Sequence, residues 1–565
     1  MPHARTATLP TLAVILALAS PGSSTAQERF GDYPAARAGG NYMHNYYLPP
    51  AVNSSPWAPA WAPDGESVAV SMHGSIWSID IDTGVAIELV SGPRYYSSPA
   101  YSPDGRWMIY TADDHGRSIG LEILDLDSGE TKPLTDDEEV YADASFSPDG
   151  TRVAYVSTEP TGYFNVWIRP ISEGAWSGPA EPVTRDNSFG RDRLYFGSED
   201  IHISPAWLPD GQELLLVSNR DVALGSGNVF RVPARADGFE ERVTVLAEQT
   251  LYRTQPDVSI DGRRFVFSST RGSADQFNNL YVQPTVGGEP YKLTFFEHDA
   301  FHPRWSPDGE WIAFIDNSGV NGLPRLRLLE THGGRIVDVE VTARRWLGPT
   351  GRLRVTTLGP DGSTTATRIH LTAADGKAWA PADQYARVPQ RARVGAFHQP
   401  GTFELELPAG EASLVVVKGF EHLPVERSVS IDGGETTELT VRLERLVDME
   451  ARGWYGGSTH VHANYAGNLH NSLENMMFMS EAEDQDIVLN QIANKDNRIL
   501  DYQYFVPGGG AHPLSRDDMV LVVGQEYRPP FYGHVFMSGM AAHPVSPCFP
   551  GYAGTGVESL SPSDT

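Results

Sequence analysis

A recurring pattern of hydrophobic and polar positions organises about three hundred residues of this chain. A large apolar residue precedes a turn of the Ser-Pro-Asp-Gly type, and an apolar run such as Trp-Met-Ile-Tyr at 107–110 follows it. The Asp positions of the six copies are on average about 49 residues apart, which is the length of one four-stranded propeller blade. The pattern therefore predicts one β-sheet per copy. The six turns lie at 61–65, 101–105, 146–150, 207–211, 258–262 and 305–309.

The chemistry of the turn explains the motif. Proline presets φ at the first turn position, aspartate bonds its own backbone, and glycine adopts the positive φ that closes a hairpin. The continuous apolar runs that follow are typical of strands buried on both faces, as between neighbouring blades. We therefore expect a six-bladed β-propeller over residues 27–345, in which the Asp and Gly residues of the turns are structural.

These repeats resemble those of TolB-like six-bladed propellers, whose blades carry the same Ser-Pro-Asp-Gly hairpin. The resemblance implies the fold and leaves the function open, because one fold serves many functions. Histidines and acids near the predicted blade ends either cap loops, as most polar loop residues do, or line the central channel. These residues are Glu199, Asp200, His202, His298 and His302.

A different β pattern begins after Arg345. Short alternating strands separated by turns, such as 403–407 and 414–417, run over residues 351–447. Roughly a hundred residues of short strands are typical of a small β-sandwich. The segment 401–410 resembles the carboxypeptidase regulatory or transthyretin-like module. The resemblance implies a spacing, docking or binding role, and we identify no catalytic cluster in this segment.

Charge and the N-terminal segment restrict the expected partners and location. The 565 residues include 43 Lys or Arg and 72 Asp or Glu, which gives a formal net charge of −29. A surface this acidic repels phosphate backbones, so we expect no nucleic acid partner. Residues 1–26 combine an arginine, a short apolar run and small residues, as signal peptides do. We therefore expect a periplasmic or extracellular protein without a transmembrane anchor after signal cleavage.

The residue types that support catalysis are concentrated after Trp454. A short strand ends in a His460-x-His462 pair, and residues i and i+2 of a strand point to the same side. Two imidazoles so placed can reach one metal ion. A second apolar strand at 521–525 ends in Glu526, and His534 follows a few residues later.

A helix is predicted between these two clusters, over residues 472–484. Ser472 is a favoured N-cap residue type, and Glu474 supplies an acid in the first turn. We expect the methionines of this segment, including Met476 and Met477, to form the helix core rather than a metal site. Cys548 is the only cysteine, which excludes a thiolate-cluster site.

These motifs are similar to those of the PHP superfamily of metal-dependent hydrolases, in particular the CehA/McbA-like branch. The match covers about 454–565 and consists of Gly-x-x-His-Val-His, then Gly-x-Glu followed by Gly-His. The resemblance implies a distorted β/α barrel that hydrolyses phosphoester, ester, carbamate or amide bonds with a metal-activated water. It makes His460 and His462 metal ligands. Glu526 would ligate or bridge, and His534 would complete that part of the site. The implied cofactor is a divalent metal, and the motifs do not distinguish zinc, manganese and iron.

Two departures from the family pattern change the expected site. The family has Thr-Asp-His on the strand after the helix, whereas this chain continues Asn490-Gln491 without an Asp-His pair. In addition, residues 466–470 replace the Ser-Asp-Gly that follows His-x-His in the family. His470 in this segment could substitute as a ligand, and a solvated loop histidine explains it equally well. Residues 454–565 are also fewer than the roughly 200 of a full barrel. The expected chain is therefore multidomain and mainly β, with a propeller, a sandwich and an incomplete α/β domain at 454–565. We expect such a truncated barrel to bind metal weakly and to hydrolyse little.

Three functional hypotheses follow from these patterns. The first is an exported metal-dependent hydrolase of a small molecule or peptide, with the propeller as a binding or access module. The second is a periplasmic propeller scaffold that binds an envelope protein partner and carries a degenerate metal domain. The third is an amidohydrolase-superfamily enzyme, which also begins with His-x-His. That third hypothesis needs a carboxylated lysine, for which Lys495 is the candidate.

Overall fold

The computed structural model describes residues 55–115, 117–136, 138–159, 161–188, 200–220, 227–247, 255–271, 277–384, 395–464, 471–495, 498–527 and 535–540, without the side chains of 321, 493–495 and 498–500. Regular structure in these residues is almost entirely β-strand, which confirms the mainly β prediction. The exceptions are one α-helix, Leu473–Ala482, and short 3₁₀ segments at Gly238–Glu241, Val320–Gly322, Glu450–Arg452 and Tyr502–Tyr504. None of the helices in these ranges has the length and apolar character needed to span a bilayer.

Six antiparallel sheets follow one another along the chain, and each Asp-Gly turn joins the first two strands of a sheet. The first three sheets contain Trp57–Trp61, Ser67–Met72, Ser75–Asp80 and Val85–Val90; Tyr95–Tyr101, Trp107–Asp113, Ile119–Asp125 and Thr131–Pro133; and Tyr141–Phe146, Arg152–Ser157, Asn165–Ser172, Ala175–Trp176 and Glu181–Pro182. The next three contain His202–Trp207, Glu213–Ser218, Asn228–Pro233 and Val243–Leu246; Asp257–Val258, Arg264–Ser269, Asn279–Pro284 and Tyr291–Lys292; and Ala300–Trp305, Trp311–Asp316, Arg325–Glu330 and Ile336–Asp338.

Contacts between the first and sixth sheets close the ring of blades. The indole N–H of Trp61 donates to the carbonyl oxygen of Arg304 over 3.0 Å. The ring of Trp57 lies 6.0 Å from that of Phe301, measured between centroids. A further strand, Ala343–Arg345, then pairs in parallel with the outer strand of the first blade. The sheets therefore form a propeller whose end blades pack directly against each other.

The hairpin turns have the geometry that their sequence predicts. In the third blade, Oδ1 of Asp149 accepts hydrogen bonds from Ser147 Oγ at 2.6 Å and from the Thr151 backbone at 3.1 Å. The Ser147 hydroxyl bond, more than any other contact, holds the pKa of this carboxyl below its usual value. The glycines that end the six motifs all have φ between +67° and +76°, as at Gly150. The structural role predicted for these residues is confirmed.

Two further sheets share one hydrophobic core after the propeller. Buried residues from both sheets, among them Leu353, Phe397 and Leu414, pack together. Lys377 is fully buried and joins this unit to the first blade, because its Nζ donates to the Gly74 carbonyl oxygen at 3.1 Å. The first sheet contains Thr350–Leu358, Thr402–Pro408 and Thr436–Arg442, and the second contains Thr367–Thr372, Phe397–Gln399, Gly410–Val417 and Val425–Ile431.

The last described sheet contains a parallel core. Gly457–Val461 and Val520–Tyr527 both pair in parallel with Ile487–Lys495, which lies between them. Arg498–Leu500 and Val535–Met537 add antiparallel strands to this sheet. A β/α barrel needs an α-helix after most of its strands, and the described residues contain one α-helix. The predicted PHP-type barrel is therefore not supported by the part of the chain that the structure describes.

The helix Leu473–Ala482 covers one face of this sheet. Oγ of Ser472 accepts a hydrogen bond from the Asn475 backbone N–H at 3.2 Å, which confirms Ser472 as the N-cap. Met476 and Met477 are buried against the sheet residue Leu521, so the prediction that they form the helix core is confirmed. The helix does not cover the opposite face of the sheet.

Candidate metal centre

Strand register brings the predicted ligands to the face opposite the helix. Gln491 pairs with Gly524 on the neighbouring parallel strand, and Glu526 lies two residues beyond Gly524 on the same face. Val461 pairs with the residue before Gln491, so His462 is placed on that face as well. A β-bulge between 458 and 461 also lets His460 approach this position.

Three of the predicted ligands meet at this point. Nε2 of His462 lies 2.8 Å from Oε2 of Glu526, and Nε2 of His460 lies 3.6 Å from the same oxygen. The two imidazole Nε2 atoms are 3.0 Å apart. One ligand atom from each of the three residues falls within 4.8 Å of the others. His534 and His470, the other predicted ligands, lie outside the described residues.

The surroundings orient these side chains. Nδ1 of His462 lies 2.8 Å from the Gln491 backbone carbonyl oxygen, which can only accept, so Nδ1–H donates and the Nε2 lone pair points into the site. The Glu526 side chain is 2% exposed, whereas that of His460 is 49% exposed. The Phe536 ring packs edge-on against His460, with centroids 4.4 Å apart. The carboxylate is thus buried while one imidazole borders solvent.

These residues fit a divalent cation. Two imidazoles and one carboxylate are a donor set that catalytic zinc uses while a further position stays open. A buried carboxylate needs a compensating charge, and His462 has the hydrogen bond to a carbonyl that metal-bound histidines usually make. The side chain of Lys495, the candidate residue of the amidohydrolase hypothesis, lies outside the described residues.

Most histidines and acids of the blade ends have structural contacts. The imidazole of His202 lies 3.2 Å from the Asp186 carbonyl oxygen, and that of His298 lies 3.1 Å from an Asp316 carboxylate oxygen. Asp200 is buried and forms an ion pair with Arg220. Glu199 lies outside the described residues. These contacts agree with the capping alternative for His202, His298 and Asp200.

His302, one of the residues considered for the channel lining, belongs to a ring whose other members were not predicted from the sequence. Six positions before the turn aspartate, each blade has a non-glycine residue with φ between +50° and +54°. It lies on the first strand of the blade, except in the fifth blade, where it lies just before that strand. These six residues border a central cavity of about 370 Å³. The constant spacing to the turn is visible in the sequence, but the residue types differ in almost every blade. The six residues are Ala58, Ser98, Asp143, Ser204, Gln255 and His302.

Comparisons with known proteins concern the propeller. The family model of the TolB beta propeller domain matches residues 50–179. The chain is 26% identical over 269 residues to the uncharacterized peptidase YuxL of Bacillus subtilis, which covers 46% of this chain and 29% of that protein. It is 29% identical over 157 residues to the Tol-Pal system protein TolB of Anaeromyxobacter dehalogenans, covering 27% of this chain and 32% of that protein. The chain thus spans less than a third of the length of these curated relatives.

Solved structures were compared as well. The putative TolB from Agrobacterium tumefaciens aligns with 47% of this chain and 91% of its own, with 17% identity and a TM-score of 0.36. The family match supports the TolB-like propeller prediction. The resemblance of residues 454–565 to the PHP superfamily remains a prediction.

Proposed function

We propose that this protein is a metal-dependent hydrolase whose divalent cation is held by His460, His462 and Glu526. The observation that carries the proposal is the meeting of these three ligand atoms within 4.8 Å, from strands that are separate in the sequence. The similarity to a relative named as a peptidase supports the hydrolase class. The PHP-type resemblance, with its ester, amide or phosphoester substrates, is the finer form of the same proposal.

The chain's own residues have distinct roles in this proposal. When bound, the cation would supply Lewis-acid polarisation of the scissile group and an activated water. Glu526 compensates the charge of the cation from a buried position. His462 is held in one tautomer by the Gln491 carbonyl oxygen. His460, whose side chain is half exposed, lies where a substrate would enter from solvent.

The test measures metal content and hydrolysis in the same samples. The purified full chain is loaded separately with Zn²⁺, Mn²⁺ and Fe²⁺ and assayed with p-nitrophenyl acetate, p-nitrophenyl phosphate and an amino-acid p-nitroanilide. We expect metal-dependent turnover of at least one compound, at the low rate that the sequence analysis predicts, and its loss in His460→Ala. The exposed propeller residue His332 offers a control, since His332→Ala should leave both metal content and turnover unchanged. Bound metal with no turnover in any assay would contradict the hydrolase proposal.

A second candidate function, a propeller that binds an envelope partner, is favoured by the central cavity. The cavity has polar side chains at its border, including Asp143, Gln255 and His302, and so offers both donors and acceptors. In that case the chain would bind no metal, and substitutions at the cavity would affect partner binding alone.

Export of the chain, predicted from residues 1–26, is part of both candidate functions. Fractionation of the producing cells tests it.

A further inference from the structure

Gln491 is a buried side chain without a hydrogen-bond partner. The residue is 0% exposed, and neither its amide oxygen Oε1 nor its amide nitrogen Nε2 has a partner among the described residues. Leaving such a buried group unpaired is destabilising, so native structures rarely tolerate it without a ligand or water. We therefore expect a ligand or a water to bind this amide on the face of the sheet to which the side chain points.

The position of the amide identifies that face. A Cβ placed on Gly524 would lie 3.0 Å from Oε1 and 3.5 Å from Nε2 of Gln491, so the amide lies directly over this glycine. Gly524 precedes Glu526 by two residues on the same strand, and His462 bonds the backbone carbonyl of Gln491. The unpaired amide and the candidate ligands therefore lie on the same face of the sheet, at neighbouring positions of adjacent strands.

We propose that Oε1 of Gln491 is a fourth, neutral ligand of the cation held by His460, His462 and Glu526. This inference rests on the proposed function, because it concerns the same cation. An amide oxygen adds a donor without adding charge, so the site keeps a single carboxylate. Gly524 makes room both for this amide and for the Met537 backbone carbonyl oxygen, from which a Cβ at this position would lie only 2.6 Å away. We expect this ligand set to hold one cation rather than a bridged pair.

The experiment uses metal alone as the probe. Zn²⁺ and Co²⁺ are titrated into the metal-free full chain and into Gln491→Leu, with dissociation constants from a chromophoric competitor chelator. The visible spectrum of bound Co²⁺ reports coordination number independently of affinity. The matched control is Gln525→Leu, which removes an equally buried amide from the helix-facing side of the neighbouring strand. We expect Gln491→Leu to weaken binding about 10-fold or more and to change the Co²⁺ spectrum, while Gln525→Leu does neither.

A second variant tests the proposal even if Gln491→Leu folds poorly. Gln491→Glu has nearly the same shape and offers a charged oxygen, so we expect it to bind both metals more tightly than the unaltered chain. Unchanged affinity and spectrum in Gln491→Leu, or no tightening in Gln491→Glu, would overturn the assignment and leave a water as the partner of the amide. Failure of the unaltered chain to bind either metal would instead contradict the proposed function itself.

Discussion

Nε2 of His462 lies 2.8 Å from Oε2 of Glu526, although a whole strand, Ile487–Lys495, separates the strands that carry them. The middle strand pairs with both outer strands. Its hydrogen-bond register therefore fixes the positions of His462 and Glu526 along the sheet. The carboxylate is 2% exposed, and a buried charge is stable only with a compensating partner. The pair is therefore well placed to bind a cation. Without a cation, the buried carboxylate charge destabilises the fold.

Replacing Glu526 tests this relationship. We expect Glu526→Gln to weaken Zn²⁺ binding about 10- to 100-fold, because the only carboxylate of the described cluster becomes a neutral amide of the same shape. In the absence of metal, the free energy of unfolding should not fall, since the substitution removes a buried charge. Competition titration and denaturant unfolding measure the two effects.

The control for this substitution is an exposed carboxylate near the same sheet. Asp518 is 71% exposed and pairs with Arg516 at 3.0 Å. Asp518→Asn should leave Zn²⁺ affinity unchanged. Equal weakening in both variants would mean that overall charge, not the cluster, governs metal binding.

The blade turns offer a stability test with an internal comparison. Oδ1 of Asp149 accepts hydrogen bonds from Ser147 Oγ and from both the backbone and the hydroxyl of Thr151. The first blade has Ala62 in place of the serine, and Oδ1 of Asp64 accepts from the Glu66 backbone at 2.9 Å. We expect Asp149→Ala to lower the free energy of unfolding by about 1–2 kcal/mol, and Asp64→Ala to lower it less. Guanidinium unfolding followed by tryptophan fluorescence measures both, and an equal cost would contradict the role of the serine.

Propeller stability should depend on pH through His202. Burial lowers the pKa of His202 to about 3, so the imidazole is neutral in the folded chain at neutral pH. An unfolded histidine has a pKa near 6.5, and the unfolded chain therefore binds a proton that the folded chain excludes between these values. Stability is thus complete above about pH 6.5 and falls as the pH decreases. From pH 7 to pH 5 we expect a loss of about 2 kcal/mol from this residue.

The measurement compares unfolding free energies of the unaltered chain and His202→Gln at both pH values. The variant should lose less stability on acidification than the unaltered chain, by about the same 2 kcal/mol. An identical pH dependence in the two proteins would show that His202 is not the group that titrates.

Lys377 should couple the two-sheet unit that follows the propeller to the first blade. Its Nζ donates to the Gly74 carbonyl oxygen and to Ser75 Oγ at 3.1 and 3.3 Å, and lies 3.4 Å from an Asp375 oxygen. Burial lowers the pKa of this ammonium group, although the Asp375 charge opposes the effect. Lys377→Met leaves these acceptors unpaired and should cost about 3 kcal/mol. Limited proteolysis should cut the variant faster than Lys132→Met, an exposed control, and equal rates would contradict the coupling role.

The sequence predicted the parts of the fold that local chemistry determines. The Pro-Asp-Gly turns and the Ser472 cap depend on residues a few positions apart, so their pattern could be read directly. The other residues of the ring around the central cavity, such as Asp143, were not predicted together with His302, because the residue types vary and the shared feature is a backbone conformation. The burial of Lys377 was also missed, since it results from packing between two units.

The candidate site was predictable only in part for a related reason. His460, His462 and Glu526 belong to residue types that bind metal, and their positions at strand ends indicated a common location. Gln491 was not predicted as a ligand, because the family pattern has an Asp-His pair on this strand and this chain does not. Its role depends on strand register and on the space that Gly524 leaves, and neither is visible in a single sequence.

The most direct test of the metal centre is calorimetric titration of Zn²⁺ and Mn²⁺ into the metal-free full chain and into a His460→Ala, His462→Ala double variant. We expect one cation bound per unaltered chain and no comparable binding by the double variant. Equal binding by the two proteins, or no binding of either metal by the unaltered chain, would contradict the proposed metal centre.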